Sequence, residues 1–430
     1  MENRTNGQFD RGFVPTKIVA VKSERLSSVC LAVFFMMLFL FSLEFLEKNY
    51  LWMYLAFIFF IITTRYVRFS WDVLPLVMLS VSMLIFYVGD INIKEAMRIC
   101  SFPLCYFIGS NLLVEKDNRR WSLGKQEKVV KRSIYVFAFG SFLHYLLNFF
   151  YNIGSGTDRN ALDIWSGAVR SATNQAILGL LVIGVAIALI FSNRGFWKKA
   201  LSIVMLIFVI SYALTLAGRT IFVILLACGV VGIIHMWIKN PNRTKSFWIC
   251  CFIFLVILVA LALFTFNIFG VRDLITSSNF YERFFKDTET GLKGTNRWEQ
   301  KGYYIEHFFD NIFGGLHSYN AIGASAHDIL LDAHDEYGIF AFASLIVFLG
   351  MSLYRTIKFI KDDTFSFGTR QLVLCVSIAF WLVFFLEPVL RGMTWLFCAF
   401  CFMQGAIKNA QKNVKKHMLN GEIYQNSIRR

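Results

Sequence analysis

Charge is scarce in this chain. Asp, Glu, Lys and Arg make up 17% of the 430 residues, where an ordinary soluble domain carries roughly a quarter. No cysteine lies in a polar loop. All nine (Cys30, Cys100, Cys105, Cys228, Cys250, Cys251, Cys375, Cys398 and Cys401) sit inside apolar runs, which excludes a disulfide framework. Cys398 and Cys401 form a CxxC embedded in TWLFCAFCFMQG. Small buried thiols are the preferred reading there over redox or metal chemistry. Proline occurs only five times, internal repeats and low-complexity segments are missing, and no stretch alternates with period two as membrane-barrel strands do.

What is present is apolar. Hydrophobic residues make up 57% of the chain and Phe alone occurs 47 times. A soluble core of this length could not bury so many consecutive apolar runs. The runs fall at about 27–46, 50–64, 72–89, 95–114, 133–151, 172–192, 198–216, 220–238, 247–268, 338–354, 371–387 and 393–407. They predict an all-α, polytopic membrane protein with about twelve transmembrane helices. The first run follows a 26-residue polar leader and has no small-residue cleavage site, so it reads as a retained anchor.

Basic residues set the expected orientation. Seven (Lys116, Arg119, Arg120, Lys125, Lys128, Lys131 and Arg132) lie between the fourth and fifth runs, and 30 of the 43 fall on one side if the spans alternate. By the positive-inside rule the 1–26 leader and the 408–430 basic tail are cytoplasmic. Spans one to nine then occupy 27–268, the long 269–337 loop is external, and the last three spans occupy 338–407. The net charge of +15 is accounted for by topology, and no nucleic-acid partner is inferred from it. A second, shorter external loop lies at about 152–171.

The long loop carries the chemistry. Residues 271–293 mix charges with aromatics, among them Phe280, Tyr281, Phe284 and Phe285. From Thr295, the spacing of Trp298, Tyr303, Ile305 and Phe309 predicts an amphipathic helix on the outer leaflet, ending at Gly314–Gly315. Its aromatics suit an interfacial belt or a platform for sugars equally well. Three arginines stand on the external side. Arg219 interrupts LTLAGRTIFVILL, Arg297 heads the amphipathic helix, and Arg391 sits at the last external turn, where Glu387 can pair with it. Arg219 either snorkels to the headgroups or clamps a phosphate; convergence of all three would make a diphosphate site.

In SAHDILLDAHDEYGIFAF, the residues His327, Leu331, His334, Asp335 and Gly338 are spaced to share one helix face where the loop re-enters the bilayer. A solvated helix terminus is one reading. A metal site built from His327, Asp328, Asp332, His334 and Asp335 is another. Against it, His327 and His334 would stand about 10 Å apart along a helix. A general base, His327, with an imidazole suited to neutral pH, is the strongest.

These residues resemble the signature of the bacterial O-antigen polymerase and O-antigen ligase superfamily. His327, Leu331, Glu336 and Gly338 occupy the positions of that family's His, Leu, acidic residue and Gly, with Asp328 where the family has Asn. TNRWEQKGYYIEHFFDNIFGGL is similar to its Arg–aromatic helix and Gly-rich turn, without the usual Pro and with the aromatic one place early at Trp298. LTLAGRT resembles its short element before a span, carried by Arg219, and TNQAILGLLVIG near 173 resembles its polar entry to the preceding spans. The likeness runs from about 170 to 405.

The resemblance implies a GT-C-type glycosyltransferase that uses no metal or other cofactor. It would polymerise oligosaccharide repeat units carried on undecaprenyl diphosphate at the external face of the bacterial cytoplasmic membrane, making capsular, O-antigen or exopolysaccharide chains. A ligase passing the glycan to another acceptor is the alternative. A lipid-linked oligosaccharide flippase is the rival from another class, which the scarcity of prolines and the edge placement of ionisable groups tell against. On this reading His327 acts as base or orients the acceptor, Glu336 orients a neighbouring group, and Arg219, Arg297 and Arg391 bind the diphosphate. Partners would be the lipid-linked oligosaccharide, the bilayer, and a chain-length regulator and flippase of the same pathway.

Overall fold

A computed structural model describes residues 16–64, 67–87, 92–112, 123–154, 160–192, 195–216, 218–239, 265–276 and 297–428, with isolated positions between 244 and 281. For 16–27, 123–126 and 413–428 it describes the course of the backbone alone. Nearly all of this is helix. The first half comprises α1 (Thr16–Ser42), α2 (Asn49–Thr63), α3 (Leu74–Phe86), α4 (Ile93–Asn111) and α5 (Leu123–Tyr151). A hairpin of β1 (Asn160–Leu162) and β2 (Val169–Ser171) leads to α6 (Ala172–Leu178), α7 (Leu180–Ile190), α8 (Phe196–Thr215) and α9 (Arg219–Lys239). The second half comprises α10 (Val271–Thr276), α11 (Arg297–Glu306), α12 (His317–Ile322), α13 (Ile329–Lys361), α14 (Phe367–Leu386), α15 (Val389–Gly392) and α16 (Thr394–Ile428).

The chain is therefore a multi-pass helical membrane protein. Among the described residues six helical stretches are long and apolar enough to cross a bilayer, and three shorter apolar helices accompany them. Apart from 247–268, most of which lies outside the described residues, each apolar run of the sequence coincides with helix. The boundaries differ in five places. Helix α5 begins at Leu123, ten residues before the expected span. Helix α1 begins at Thr16, inside the expected polar leader, and α16 carries the basic tail in helix as far as Ile428. Helix α13 begins nine residues before the expected span, and the 172–192 run divides at Gly179 into α6 and α7.

Packing explains the composition. Helix α7 is apolar on every side and buried continuously from Leu180 to Ala188, as a helix must be when neighbours surround it. Helices α8 and α9 instead present Leu201, Ile207, Leu226 and Ile234 outward, the apolar exposure that lipid rewards. Between α13, α14 and α16 the rings of Phe348, Phe380, Phe384, Phe397 and Phe400 interlock, Phe384 and Phe400 meeting edge-on at 4.9 Å. With water absent from the bilayer, such close packing is what holds helices together. Helices α4 and α16 touch backbone to backbone, because a Cβ on Gly109 would strike the Phe402 carbonyl and one on Gly405 the Tyr106 carbonyl.

Within the 152–171 loop, residues 160–171 form the β1–β2 hairpin, and 155–159 lie outside the described residues. The hairpin closes with Asn160 opposite Ser171 and Leu162 opposite Val169. Asp163, fully buried, lies at its centre. Its Oδ1 accepts from the Trp165 and Ser166 amides, while Oδ2 meets His144 Nε2 at 2.8 Å and Arg170 Nε at 2.9 Å. Arg170 in turn reaches Glu44 at the end of α1, at 2.6 Å. Burial alone would raise the Asp163 carboxyl. The His144 hydrogen bond, the Arg170 charge and the Trp165 amide outweigh burial and hold it well below the carboxylate range. A carboxyl titrating below its unfolded value of about 4 stabilises the fold above that value, and the contribution is lost as pH falls through the depressed titration. Protection of the 160–171 amides, taken relative to the unfolded-chain exchange rate at each pH, should therefore hold from neutral pH down to about pH 4 and fall only in stronger acid. Opening of the hairpin between pH 7 and 5 would remove Asp163 as its clasp.

Candidate functional site

The polar groups of the long loop gather where α13 begins. The single helix face expected from His327 to Gly338 does not form. Asp328 is the N-cap, accepting from the Leu330 and Leu331 amides, so His327 lies outside the helix. Gly338 breaks the helix at φ +82°, ψ −176°. Through the gap runs the Gly314–Gly315 turn. The Gly315 amide donates to the Glu336 carbonyl at 3.2 Å, Leu316 to the Asp335 carbonyl at 2.8 Å, and Ile339 to the Ile312 carbonyl at 2.7 Å. The expected amphipathic helix is shorter than its sequence pattern, ending at Glu306 and giving way to turns. Trp298, Ile305, Phe309 and Phe313 are exposed along it, each by more than 60%. Phe280, Phe284 and Phe285 lie outside the described residues.

His327 has a left-handed backbone, φ +54°, a conformation uncommon outside glycine, though His, like Asn and Asp, adopts it more readily than most. The amides on both sides of it explain how that conformation is held. Ala326 N and Asp328 N both donate to the buried Asp332 carboxylate, at 2.9 and 3.3 Å. The imidazole is thereby turned toward α14. Its Nδ1 stands 3.5 Å from Glu387 Oε2, and the side chain remains 24% exposed.

Glu387 is the hub of this centre. It follows the last residue of α14 and is fully buried. The Thr220 hydroxyl donates to its Oε1, and Arg297 Nη2 lies 3.4 Å from both carboxylate oxygens. Arg297 Nη1 also donates to the Leu386 carbonyl at 2.9 Å, and Lys301 Nζ to the Phe385 carbonyl at 2.7 Å. Cations thus satisfy the open carbonyls of the α14 C-terminus, where the helix dipole favours them. Arg219 is the first residue of α9, immediately before Thr220. Segments far apart in sequence therefore bring Thr220, Arg297 and His327 to one carboxylate, with Arg219 adjacent to Thr220 in the chain.

Arg391 belongs to a neighbouring centre, and the expected pairing with Glu387 is corrected. Pro388 ends α14, and Arg391 on the following turn faces α13 instead. Its Nε meets Glu336 Oε2 at 2.7 Å and its guanidinium lies over the Tyr319 ring at 4.2 Å. Tyr87, from the end of α3, donates to the other Glu336 oxygen at 3.0 Å. Burial would weaken the Arg391 charge, but Glu336 and Asp332 raise its pKa above the ordinary arginine value. Nη2 of Arg391 has no hydrogen-bond acceptor; Asp335 Oδ2 is 3.9 Å away. Asp332 holds the amides on both sides of His327 and adds its negative charge to the surroundings of Arg391, and so links the two centres. The polar entry of α6 approaches as well, since a Cβ on Gly392 would lie 3.5 Å from the Asn174 amide oxygen.

The four acids of α13 are committed to architecture. Asp328 caps, Asp332 fixes the His327 backbone, Asp335 accepts from the Ser318 and Tyr319 amides, and Glu336 holds Arg391. His334 is stacked on Phe308 with ring centroids 3.7 Å apart, edge-on to Phe342, and takes no part. Among the described residues no three of His, Cys, Asp and Glu come together as metal ligands. What remains for chemistry is an imidazole backed by a carboxylate, with the Arg297 guanidinium at the same carboxylate and Arg391, one donor unspent, in the neighbouring centre. Such a set can accept a proton and neutralise a developing anion. Sequence reasoning missed the hub role of Glu387, and with it Thr220, Lys301, Tyr87 and Tyr319. Glu387 alone gave a signal, as an acid inside the apolar FFLEPVL. Comparison of the chain with family models and with curated proteins returns no match.

Proposed function

We propose that the protein is a glycosyltransferase of about twelve spans. It would polymerise oligosaccharides carried on undecaprenyl diphosphate at the external face of a bacterial cytoplasmic membrane, with both termini cytoplasmic. The observation that carries this reading is the meeting of His327, Arg297 and the Arg219–Thr220 helix start around Glu387. Displacement at an anomeric carbon requires two things: removal of a proton from the incoming hydroxyl, and stabilisation of the departing diphosphate. His327 takes the hydroxyl proton on the ring nitrogen that faces away from Glu387, and the carboxylate steadies the imidazolium that results. The bond from the anomeric carbon to the diphosphate oxygen breaks as the new glycosidic bond forms. Arg297 and Arg219, with Arg391 beside them, receive the released charge. The exposed Trp298, Ile305, Phe309 and Phe313 line suits the apolar boundary beside a lipid-borne substrate.

The test is chain length in membranes holding equal amounts of wild type, His327→Ala and Arg219→Ala. Both variants should retain single lipid-linked repeats and lose at least about 99% of polymer, the 100-fold loss that removal of a general base or a transition-state donor brings. Full-length polymer from His327→Ala would dismiss the base. Repeats confined to the cytoplasmic leaflet in both variants would favour a flippase, and wild-type transfer to an acceptor other than a repeat unit would favour a ligase.

A further inference from the structure

A second cluster of charge lies at the other end of the bundle. Arg355 stands 17 residues beyond Gly338 on the unbroken part of α13, about 25 Å along the helix axis from the break. Its Nη2 meets Asp72 Oδ2 at 2.8 Å, and Lys408 Nζ from α16 meets the same oxygen at 2.5 Å. Lys412, four residues further along α16, adds its charge to the field at Asp72. Arg355 and Lys408 both lie against the Tyr106 ring, at 5.5 and 5.9 Å. Two cations therefore contact one carboxylate, with Lys412 a third positive charge in its field. Arg355 is 8% exposed, yet its Nη1 has no acceptor in the protein.

The surroundings are those of a membrane surface. Phe69 and Trp71, beside Asp72, are 68% and 75% exposed and meet edge-on at 5.5 Å. That pairing of aromatics suits the headgroup level. Leu74 and Met78 of α3, and Tyr354 and Ile357 of α13, are exposed on the flanking helices and offer an apolar path for acyl chains. Were the cluster only a brace between helices, one acceptor would suffice for one or two cations. The surplus of positive charge and the unspent guanidinium nitrogen call for an anion with several oxygens.

We infer that Arg355, Lys408 and Lys412 seat the phosphodiester of an anionic glycerophospholipid from the leaflet on that side, with Trp71 and Phe69 against its glycerol region. Lys408 and Lys412 approach the phosphate from the more open side, and Arg355 turns Nη1 toward it from beneath. Asp72 fixes the spacing of the cations and keeps the site from taking a second anion. The inference is independent of the reaction proposed at His327.

Native mass spectrometry of the full chain in detergent tests it, with phosphatidylglycerol and phosphatidylethanolamine offered in equal amounts. Wild type should bind phosphatidylglycerol roughly tenfold more tightly, as two or more basic residues at a lipid surface imply. Lys408→Gln with Lys412→Gln should bring the two lipids to near equality. Equal retention by wild type, or an undiminished preference in the double variant, overturns the assignment. Displacement of the lipid by millimolar inorganic phosphate would make this a site for free phosphate and also overturn it. Should the double variant not fold, location is read in a milder one. Brominated phosphatidylglycerol should quench a saturable part of the fluorescence of wild type that is missing in Trp71→Phe; identical quenching in both overturns the site.

Discussion

If the protein is the polymerase proposed and His327 its base, Glu387→Ala is expected to abolish chain growth, with a loss of about 100-fold or more, the range a misplaced general base brings. The carboxylate stands behind the His327 imidazole, receives the Thr220 hydroxyl and is bracketed by Arg297. Without it His327 keeps its backbone, which Asp332 holds, but loses the group that orients its ring. Arg297 and Thr220 lose their common acceptor at the same time. Removing one member of a buried ion pair costs about 3 kcal/mol, so the melting temperature should fall along with activity. Glu387→Gln separates the two effects. It keeps an acceptor for Thr220 and most of the packing, and should regain much of the thermal stability while remaining inactive. Polymer length in membranes and thermal unfolding in detergent are the two readouts. Polymer of wild-type length from Glu387→Ala would reduce this carboxylate to a helix-end brace.

The second large effect belongs to Gly338. A Cβ there would sit 2.7 Å from the Phe313 carbonyl carbon and 2.8 Å from the Ile312 oxygen, and both are backbone that cannot step aside. The conformation, φ +82° with ψ near 180°, is one that only glycine adopts readily. Gly338→Ala should therefore cost about 3 kcal/mol or more from backbone strain and overpacking combined. The damage spreads to the site, because the Glu336 and Asp335 carbonyls are bound to the turn threaded through that gap. Unfolding at lower temperature with reduced polymer would be the result. A variant as stable as wild type would mean that α13 can close into a continuous helix.

Helix placement was legible in the sequence because a bilayer demands long apolar runs, and runs of 15 to 20 such residues have few other uses. His327 and Arg219 stood out for the same reason, as polar groups where polarity is costly, and Arg297 as the head of the amphipathic helix in the long loop. Their partners did not. Glu387 looked like the companion of Arg391 on helical spacing, but Pro388 stops the helix between them and a four-residue interval loses its meaning. The face shared by His327 and Gly338 dissolved likewise, since Asp328 caps and Gly338 interrupts. Tyr87 meets Glu336 across 249 positions of chain, a contact no local pattern encodes. The 160–171 hairpin was hidden because its strands are only three residues each and its clasp draws on α1, α5 and the loop together.

The encirclement of α7 sets an order for biogenesis. This helix leaves the ribosome well before α14, against which its Gly184 lies closely enough that a Cβ would come within 2.9 Å of the Val376 Cα. Nearly 200 residues separate the ends of the two helices, so at ordinary elongation rates α7 waits roughly 10 to 40 seconds for that wall of its enclosure. During this interval a segment with no lipid-facing stripe of its own is bathed in lipid or held by insertion machinery. Docking of α14 therefore expels lipid from around α7, and substitutions on the α7-facing side of α14 should act first on membrane yield.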